Sequence, residues 1–371
     1  EAVGGIVLIA ATALALIWAN SGAVSYVGFW HRSLTLGSGS HAVTEDLVGW
    51  VNDGLMTLFF FVVGLEIKRE LVVGELRELR AAVLPMAAAA GGAILPALLF
   101  LLVAPGGAAS RGWGVPMATD IAFAVGVLAL VGSRASGGAK LFLLSIAIVD
   151  DLIAIVVIAV FYSGALQLSW LLLAAAGVAV VLLMRPFVSH PLAYLPAGFL
   201  VWFGLLESGV HATLAGVVLG LLTPARPVRG RPVLSDLEHV LHPVSAYVVI
   251  PLFAVANAGI YLRGGVISDA LTERLTWAVV IGLVVGKTIG IAGATFVLLR
   301  AGWVRLPAGM AAREVWPIAV LGGIGFTVAL FIADLAFSEP LLVTQAKAGI
   351  FLASGLAAAI GAGVMFVRRE H

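Results

Sequence analysis

No cysteine occurs in the 371 residues, which excludes disulfides, thiolate metal sites and cysteine nucleophiles. Charge is also scarce. Only 11% of residues are Asp, Glu, Lys or Arg, against roughly 25% in a soluble globular protein, while 61% are hydrophobic. Most of such a chain cannot face water. The formal net charge of +1 gives no electrostatic basis for binding nucleic acid. The GxxxxGK[ST] run of a nucleotide-binding loop is missing. No nucleophile–base arrangement of a conventional enzyme stands out, and no cofactor is expected. What the chain has in quantity is glycine, at 44 residues, which suits closely packed membrane helices.

A helix crossing the hydrocarbon needs about 20 mostly apolar residues. Twelve stretches qualify: 3–20, 48–67, 81–104, 114–132, 139–163, 168–185, 192–206, 209–222, 240–262, 277–299, 314–336 and 344–367. The seventh and eighth are short and separated only by Glu207–Ser208, so eleven crossings stay open as an alternative. The run Val3–Ala19 lacks a basic n-region and a small-residue cleavage site, and reads as a first span rather than a signal peptide. An even number of spans puts both termini on one side. The loops on that side hold Lys68, Arg69, Arg77, Arg80, Arg134, Lys140, Arg185, Arg226, Arg229, Arg231, Arg300, Arg305, Arg313, Arg368 and Arg369. The opposite loops hold only Arg32, Arg111, Arg263, Arg274 and Lys347. That excess places both termini in the cytoplasm. In the first outer loop, Ser33–Val43 has short alternating arms around a Gly-Ser turn, which predicts a small β-hairpin. With no long linker, residues 1–371 read as a single integral membrane domain.

Ionisable groups inside a bilayer cost on the order of 2.5–3.5 kcal/mol each by insertion scales. Here they gather near span midpoints. Asp150 and Asp151 lie midway along the fifth span in SIAIVDDLIAIVV, Asp120 in the fourth in VPMATDIAFAVG, and Lys287 in the tenth in LVVGKTIGIAG. At about 1.5 Å per residue none easily reaches a headgroup. The bland alternative is a buried ion pair that locks helices together, and one Asp–Lys pair would satisfy it. It accounts poorly for Asp150–Asp151, because adjacent helical residues point about 100° apart and one lysine cannot easily neutralise both. Close carboxylates resist ionising together, so such a pair can hold a proton near neutral pH and release it to bind a hard cation. One site with two competing ligands is the chemistry of proton–cation exchange.

Two spans look interrupted. The fourth has Pro116 shortly before Thr119–Asp120, and the eleventh carries Gly322, Gly323 and Gly325 before Thr327. Irregular backbone at that depth is tolerated only where it lines a cavity or is packed in protein. These spans are the middle members of triplets 3–5 and 10–12, which suggests repeats. A second charged cluster, on the cytoplasmic side, joins Glu66, Lys68, Arg69 and Glu70 in GLEIKRE to Glu238, His239 and His242 in LEHVLHP. Histidine titrates near physiological pH, although ordinary interfacial charge would look the same. His211 reads as a structural hydrogen-bonder. Asp334 has no evident role.

The segments ATDIAFAVGVLAL, AIVDDL, SGVHATLAG, LEHVLHP, PLFAVANAG, GKTIG and GIGFT, in this order and spacing over essentially the whole chain, closely resemble the NhaA family of bacterial Na⁺/H⁺ antiporters. The resemblance implies an all-α polytopic protein of about twelve transmembrane helices with cytoplasmic termini in the bacterial inner membrane. It also implies inverted repeats, helices 3–5 and 10–12, with interrupted helices 4 and 11 crossing at mid-membrane. It implies Asp151 as the principal Na⁺ and proton ligand, and Asp150 as a second Na⁺ ligand or the partner of Lys287. Thr119 and Asp120 fall on the interrupted helix-4 motif, and Gly323, Gly325 and Thr327 on that of helix 11. There Asp120 would offset half-helix N-termini and Lys287 the opposite ends. Glu66, Arg69, Glu70, Glu238 and His239 match the family's pH-response region, and Ser33–Val43 its element of homodimer contact. The implied activity is electrogenic export of cytoplasmic Na⁺ or Li⁺ against entering protons in a lipid bilayer. One departure is the loop TPARPVRGRPVLSD, which lacks the acidic and lysine residues expected there. Two rivals remain: a Na⁺-coupled organic-anion symporter with a roomier polar cavity, and a seven-helix retinal pump, which the span count disfavours.

Overall fold

The computed structural model describes residues 2–37, 42–131, 135–261 and 270–367. Among these, eight helices are long and apolar enough to cross a membrane. They are α1 (Ala2–Ser21), α3 (Leu47–Val72), α4 (Leu79–Val103), α6 (Gly137–Phe161), α8 (Pro191–Ser208), α10 (Val233–Asn257), α11 (Arg274–Arg300) and α14 (Pro340–Val367). Two further spans are bent pairs. The 3₁₀ segment Gly107–Met117 meets α5 (Ile121–Val131) at 47°, and α12 (Ala312–Leu321) meets α13 (Phe326–Ala336) at 46°. The shorter α7 (Leu168–Met184) and α9 (Leu214–Leu222) account for the remaining apolar stretches read from the sequence.

Three boundaries differ from expectation. The break between the seventh and eighth spans falls after Ser208, where Gly209 adopts φ +83° and closes α8, and the next helix starts only at Leu214. Helix α10 starts at Val233, well before the predicted 240, because its first turns are amphipathic and escape a hydropathy reading. A short helix, α2 (Ala23–Trp30), follows α1 directly. The hairpin is present as β1 (Ser33–Leu36) and β2 (Val43–Asp46), antiparallel, with Ser33 opposite Asp46 and Leu36 opposite Val43. It thus extends beyond Val43, and its tip at 38–41 lies outside the described residues. Asp46 ends it by accepting Gly49 N at 2.7 Å, which starts α3.

The chain forms two compact units. One comprises Glu1–Leu16, Glu75–Ala154 and Ile260–His371, the other Ile17–Gly74 and Ile155–Gly259. In the first, α11 lies flush along α4. Gly282, Gly286 and Gly290, spaced four apart, present no side chain there. A Cβ on Gly290 would stand 2.2 Å from the Gly91 carbonyl, and one on Gly286 2.7 Å from Pro96 Cα. Lipid offers helices no hydrophobic gain from pairing, so close backbone packing holds them. In the second unit, the amide of Asn257 in α10 donates to Asn52 in α3 at 2.8 Å, and Tyr26 Oη lies 2.8 Å from the carbonyls of Val255 and Ala256.

Candidate functional site

The site is built in the first unit, where the two bent pairs cross. Helical bonding lapses at Ala118, which is extended (φ −83°, ψ 148°), and returns at Ile121. In the other pair, residues 322–325 separate α12 from α13. The two breaks bond to each other. Asp120 N donates to the Ile324 carbonyl at 2.6 Å, and Thr119 Oγ1 stands 2.8 Å from the Gly322 carbonyl. The glycines serve this close approach rather than an unusual backbone angle. A Cβ on Gly323 would meet the Leu283 carbonyl at 2.5 Å, and one on Gly325 would meet the Ala118 carbonyl at 3.1 Å.

The Asp120 carboxylate serves both half-helices. Oδ1 accepts Phe123 N at 2.9 Å in the first turn of α5. Oδ2 accepts Thr327 N at 2.9 Å and Thr327 Oγ1 at 2.5 Å in the first turn of α13. Helix N-termini carry unsatisfied N–H groups and partial positive charge, so one carboxylate satisfies two of them at once.

Asp150, from α6, and Lys287, from α11, form an ion pair beside Thr119. Thr119 Oγ1 lies 2.6 Å from Asp150 Oδ2 and accepts from Lys287 Nζ at 2.9 Å. A hydroxyl has a single proton, so Thr119 donates either to Asp150 or to the Gly322 carbonyl. Lys287 is 0% exposed, Asp150 1% and Asp151 4%. A π-helical turn, Ile281–Gly286, runs directly into Lys287 and sets its angular position on α11. The second carboxylate oxygen of Asp150, Oδ1, is buried and has no hydrogen-bond partner among the described residues. Buried polar atoms are nearly always satisfied, so such an oxygen is an unused acceptor in the middle of the site. Sodium is a hard cation that takes oxygen ligands, and carboxylate and threonine oxygens are what these residues offer.

The expected site residues Thr119, Asp120, Asp150, Asp151, Lys287, Gly323, Gly325 and Thr327 all lie in the first unit. The second charged cluster lies in the second unit. Arg69 Nη1 stands 2.6 Å from Glu238 Oε1 and Arg69 Nη2 3.7 Å from Glu70 Oε1. Glu66 Oε1 is 3.8 Å from a histidine ring, but that histidine is His242. Both His239 and His242 are exposed. Glu238 and His242 are four residues apart and share a helical face, a spacing that identifies His242 from sequence alone. His211, expected as a structural group, donates its Nε2–H to the Tyr162 carbonyl at 2.7 Å.

Lys347 is a correction. It was counted with the loop charges, yet it sits inside α14 with Nζ 3.0 Å from Asp334 Oδ1. The pairing gives Asp334 a partner and explains how a lysine is accommodated within that helix. An acid in the last turn of one span, followed by a lysine early in the next, is the signal that would have found it.

The sequence model described as Na⁺/H⁺ antiporter 1 matches residues 1–365. The chain is 49% identical to the Na⁺/H⁺ antiporter NhaA of Acidovorax sp. (strain JS42), over 97% of this chain and 88% of that one. It is 46% identical to the protein of that name from Nocardia farcinica (strain IFM 10152), over 100% and 89%. Against that of Janthinobacterium sp. (strain Marseille) the identity is 44%, over 97% and 90%.

Proposed function

The chain belongs to the Na⁺/H⁺ antiporter 1 family, and from that premise we propose how its residues divide the work of exchange. The protein is a membrane antiporter that exchanges Na⁺ for protons. Asp151 is the principal ligand of Na⁺ and of the competing proton, and Asp150 the second. Li⁺ follows the same route. The observation that carries this reading is the dehydrated Asp150–Lys287–Thr119 group at the crossing of two helix breaks, with Asp150 Oδ1 unmatched.

At high cytoplasmic pH the carboxylates stand deprotonated. Na⁺ binds Asp151 and the free oxygen of Asp150, weakening the hold of Asp150 on Lys287. The loaded site then reopens outward, where protons return to both carboxylates and displace the ion. Two carboxylates exchanging more than one proton per Na⁺ make the cycle electrogenic, driven by the proton gradient. Asp120 keeps the half-helix ends from adding their own positive charge to the site. Glu66, Arg69, Glu70, Glu238 and His239, with His242, form the pH-responsive group. The protein works in the bacterial inner membrane with cytoplasmic termini, as a homodimer joined through the hairpin at Ser33–Val43.

The test is collapse of a pre-formed pH gradient in everted vesicles on adding Na⁺ or Li⁺, read with a pH-sensitive dye. Wild type dissipates the gradient, more so at alkaline pH, and Asp151→Asn does not. Exchange of wild-type magnitude in Asp151→Asn sinks the assignment.

A further inference from the structure

Glu314 lies far from the crossing, in the first turn of α12, and is half-buried. Its carboxylate is saturated by backbone and side-chain donors from two segments. Oε1 accepts Ser136 N at 3.0 Å, and Oε2 accepts Ser136 Oγ at 3.0 Å and Ala311 N at 2.7 Å. Ser136 is the residue that starts α6: its Oγ accepts Ala139 N at 3.1 Å, and its carbonyl accepts Lys140 N at 3.1 Å. One side chain therefore joins the N-terminus of the helix bearing Asp150 and Asp151 to the N-terminus of the helix that ends at the 322–325 break.

Two features bear on how the start of α6 is held. On one side, Gly138 is pressed against the segment before α12. A Cβ there would lie 2.5 Å from the Ala308 carbonyl and 3.0 Å from Met310 N. On the other side, a cavity of about 170 Å³ is lined by Val125, Leu128 and Ala129 of α5 and by Ser136, Gly137 and Lys140. The start of α6 is thus held toward α12. From Ser136 to Asp150 is about 21 Å of helix, and from Glu314 to Gly322 about 12 Å, so slack at the junction is carried directly to the site.

We propose that Glu314 is a positioning residue for ion binding: it holds α6 and α12 in register, so that Asp150 and Asp151 stay aligned with Thr119 and the helix break at 322–325. It touches neither the ion nor the proton. Exchange needs ligand oxygens held close to their working geometry, and a small misplacement set far from the reacting groups is expensive. The inference rests on Na⁺ binding at Asp150 and Asp151.

The experiment measures Na⁺ concentration dependence in everted vesicles for wild type, Glu314→Ala, Glu314→Gln, Ser136→Ala and the Glu314→Ala/Ser136→Ala double variant. Asp151→Asn runs alongside, and the thermal stability of each purified protein is recorded. Glu314→Ala should raise half-saturating Na⁺ roughly fivefold. Glu314→Gln, which keeps one acceptor oxygen, should fall between it and wild type. The double variant should be no worse than Glu314→Ala, because both changes open the same junction. If Glu314→Ala does not reach the membrane, Ser136→Ala decides the matter by its own rise, about twofold, in half-saturating Na⁺. Unchanged half-saturation with only lower stability or maximal rate overturns the proposal, as does a double variant with simply additive effects. A wild type that does not respond to Na⁺, or an active Asp151→Asn, instead refutes the ion-site reading on which the inference rests.

Discussion

Two Asp–Lys pairs lie inside the spans of the first unit, and they differ in everything but chemistry. Asp150–Lys287 joins side chains 0% exposed on both partners, at the crossing of the broken helices. Asp334–Lys347 joins the last turn of α13 to the second turn of α14, with side chains 17% and 13% exposed. Each leaves one buried carboxylate oxygen without a partner among the described residues. Around Asp150, however, there is a threonine hydroxyl, an adjacent second carboxylate and the exposed backbone of two helix breaks. Around Asp334 the described contacts are those of the ion pair alone. The comparison teaches that a buried ion pair by itself says little about function. What distinguishes the Asp150 pair from the Asp334 pair is the set of further oxygen atoms beside irregular backbone, which is the ground for proposing it as the ion site.

The comparison can be pressed hardest at Lys287. Removing one partner of a dehydrated pair strands a charge, at a cost of about 3–5 kcal/mol. Lys287→Met should therefore lower thermal stability in detergent sharply, and Asp150→Asn/Lys287→Met should recover most of it while exchange stays lost. A stable and active Lys287→Met would erase the distinction between the pairs. Next in size is Asp120→Ala, which strips caps from α5 and α13 together and should cost roughly 2–3 kcal/mol. Thr327→Val removes one of the three donors and should cost about 1 kcal/mol. Lys347→Ala should cost about 1–2 kcal/mol, since its partner can turn toward the helix end and be solvated, and Na⁺ half-saturation should not move. A loss of exchange there, with protein present in the membrane, would promote the outer pair to a functional one.

The second unit sets the lower end of this scale. Arg69 is 47% exposed and Glu238 13%. A double-mutant cycle between them should return only about 0.2–1 kcal/mol of coupling. The informative measurement is the pH profile of exchange. Glu238→Gln and His242→Gln should displace it without abolishing activity, whereas His239→Gln should have the smaller effect, since it is His242 whose ring lies 3.8 Å from Glu66.

Much of the site was legible because membranes make charge conspicuous. Asp120, Asp150, Asp151 and Lys287 stand out in apolar sequence, and the Gly-rich run before Thr327 marks a break without any structure. Less was legible where polarity and helix coincide. The amphipathic first turns of α10 carry no hydropathy signal, so its start was misplaced. Glu314 stands in sequence as an ordinary acid at the start of a span, and nothing local reveals that its partner Ser136 is 178 residues away. Lys347 was taken for a loop charge because its compensating partner is on another helix.

The sequence by itself determined that this chain is membrane-embedded, how many apolar spans it offers, and which few ionisable side chains lie at mid-span, because transfer of charge and bare backbone into hydrocarbon is too costly to occur by accident. Only the tertiary structure decided which of those charges meet. Lys287 is matched to Asp150, one Asp120 carboxylate caps two helices, and Glu314 reaches the start of α6, because helices brought together by close glycine packing set side-chain distances that no spacing along the chain can encode.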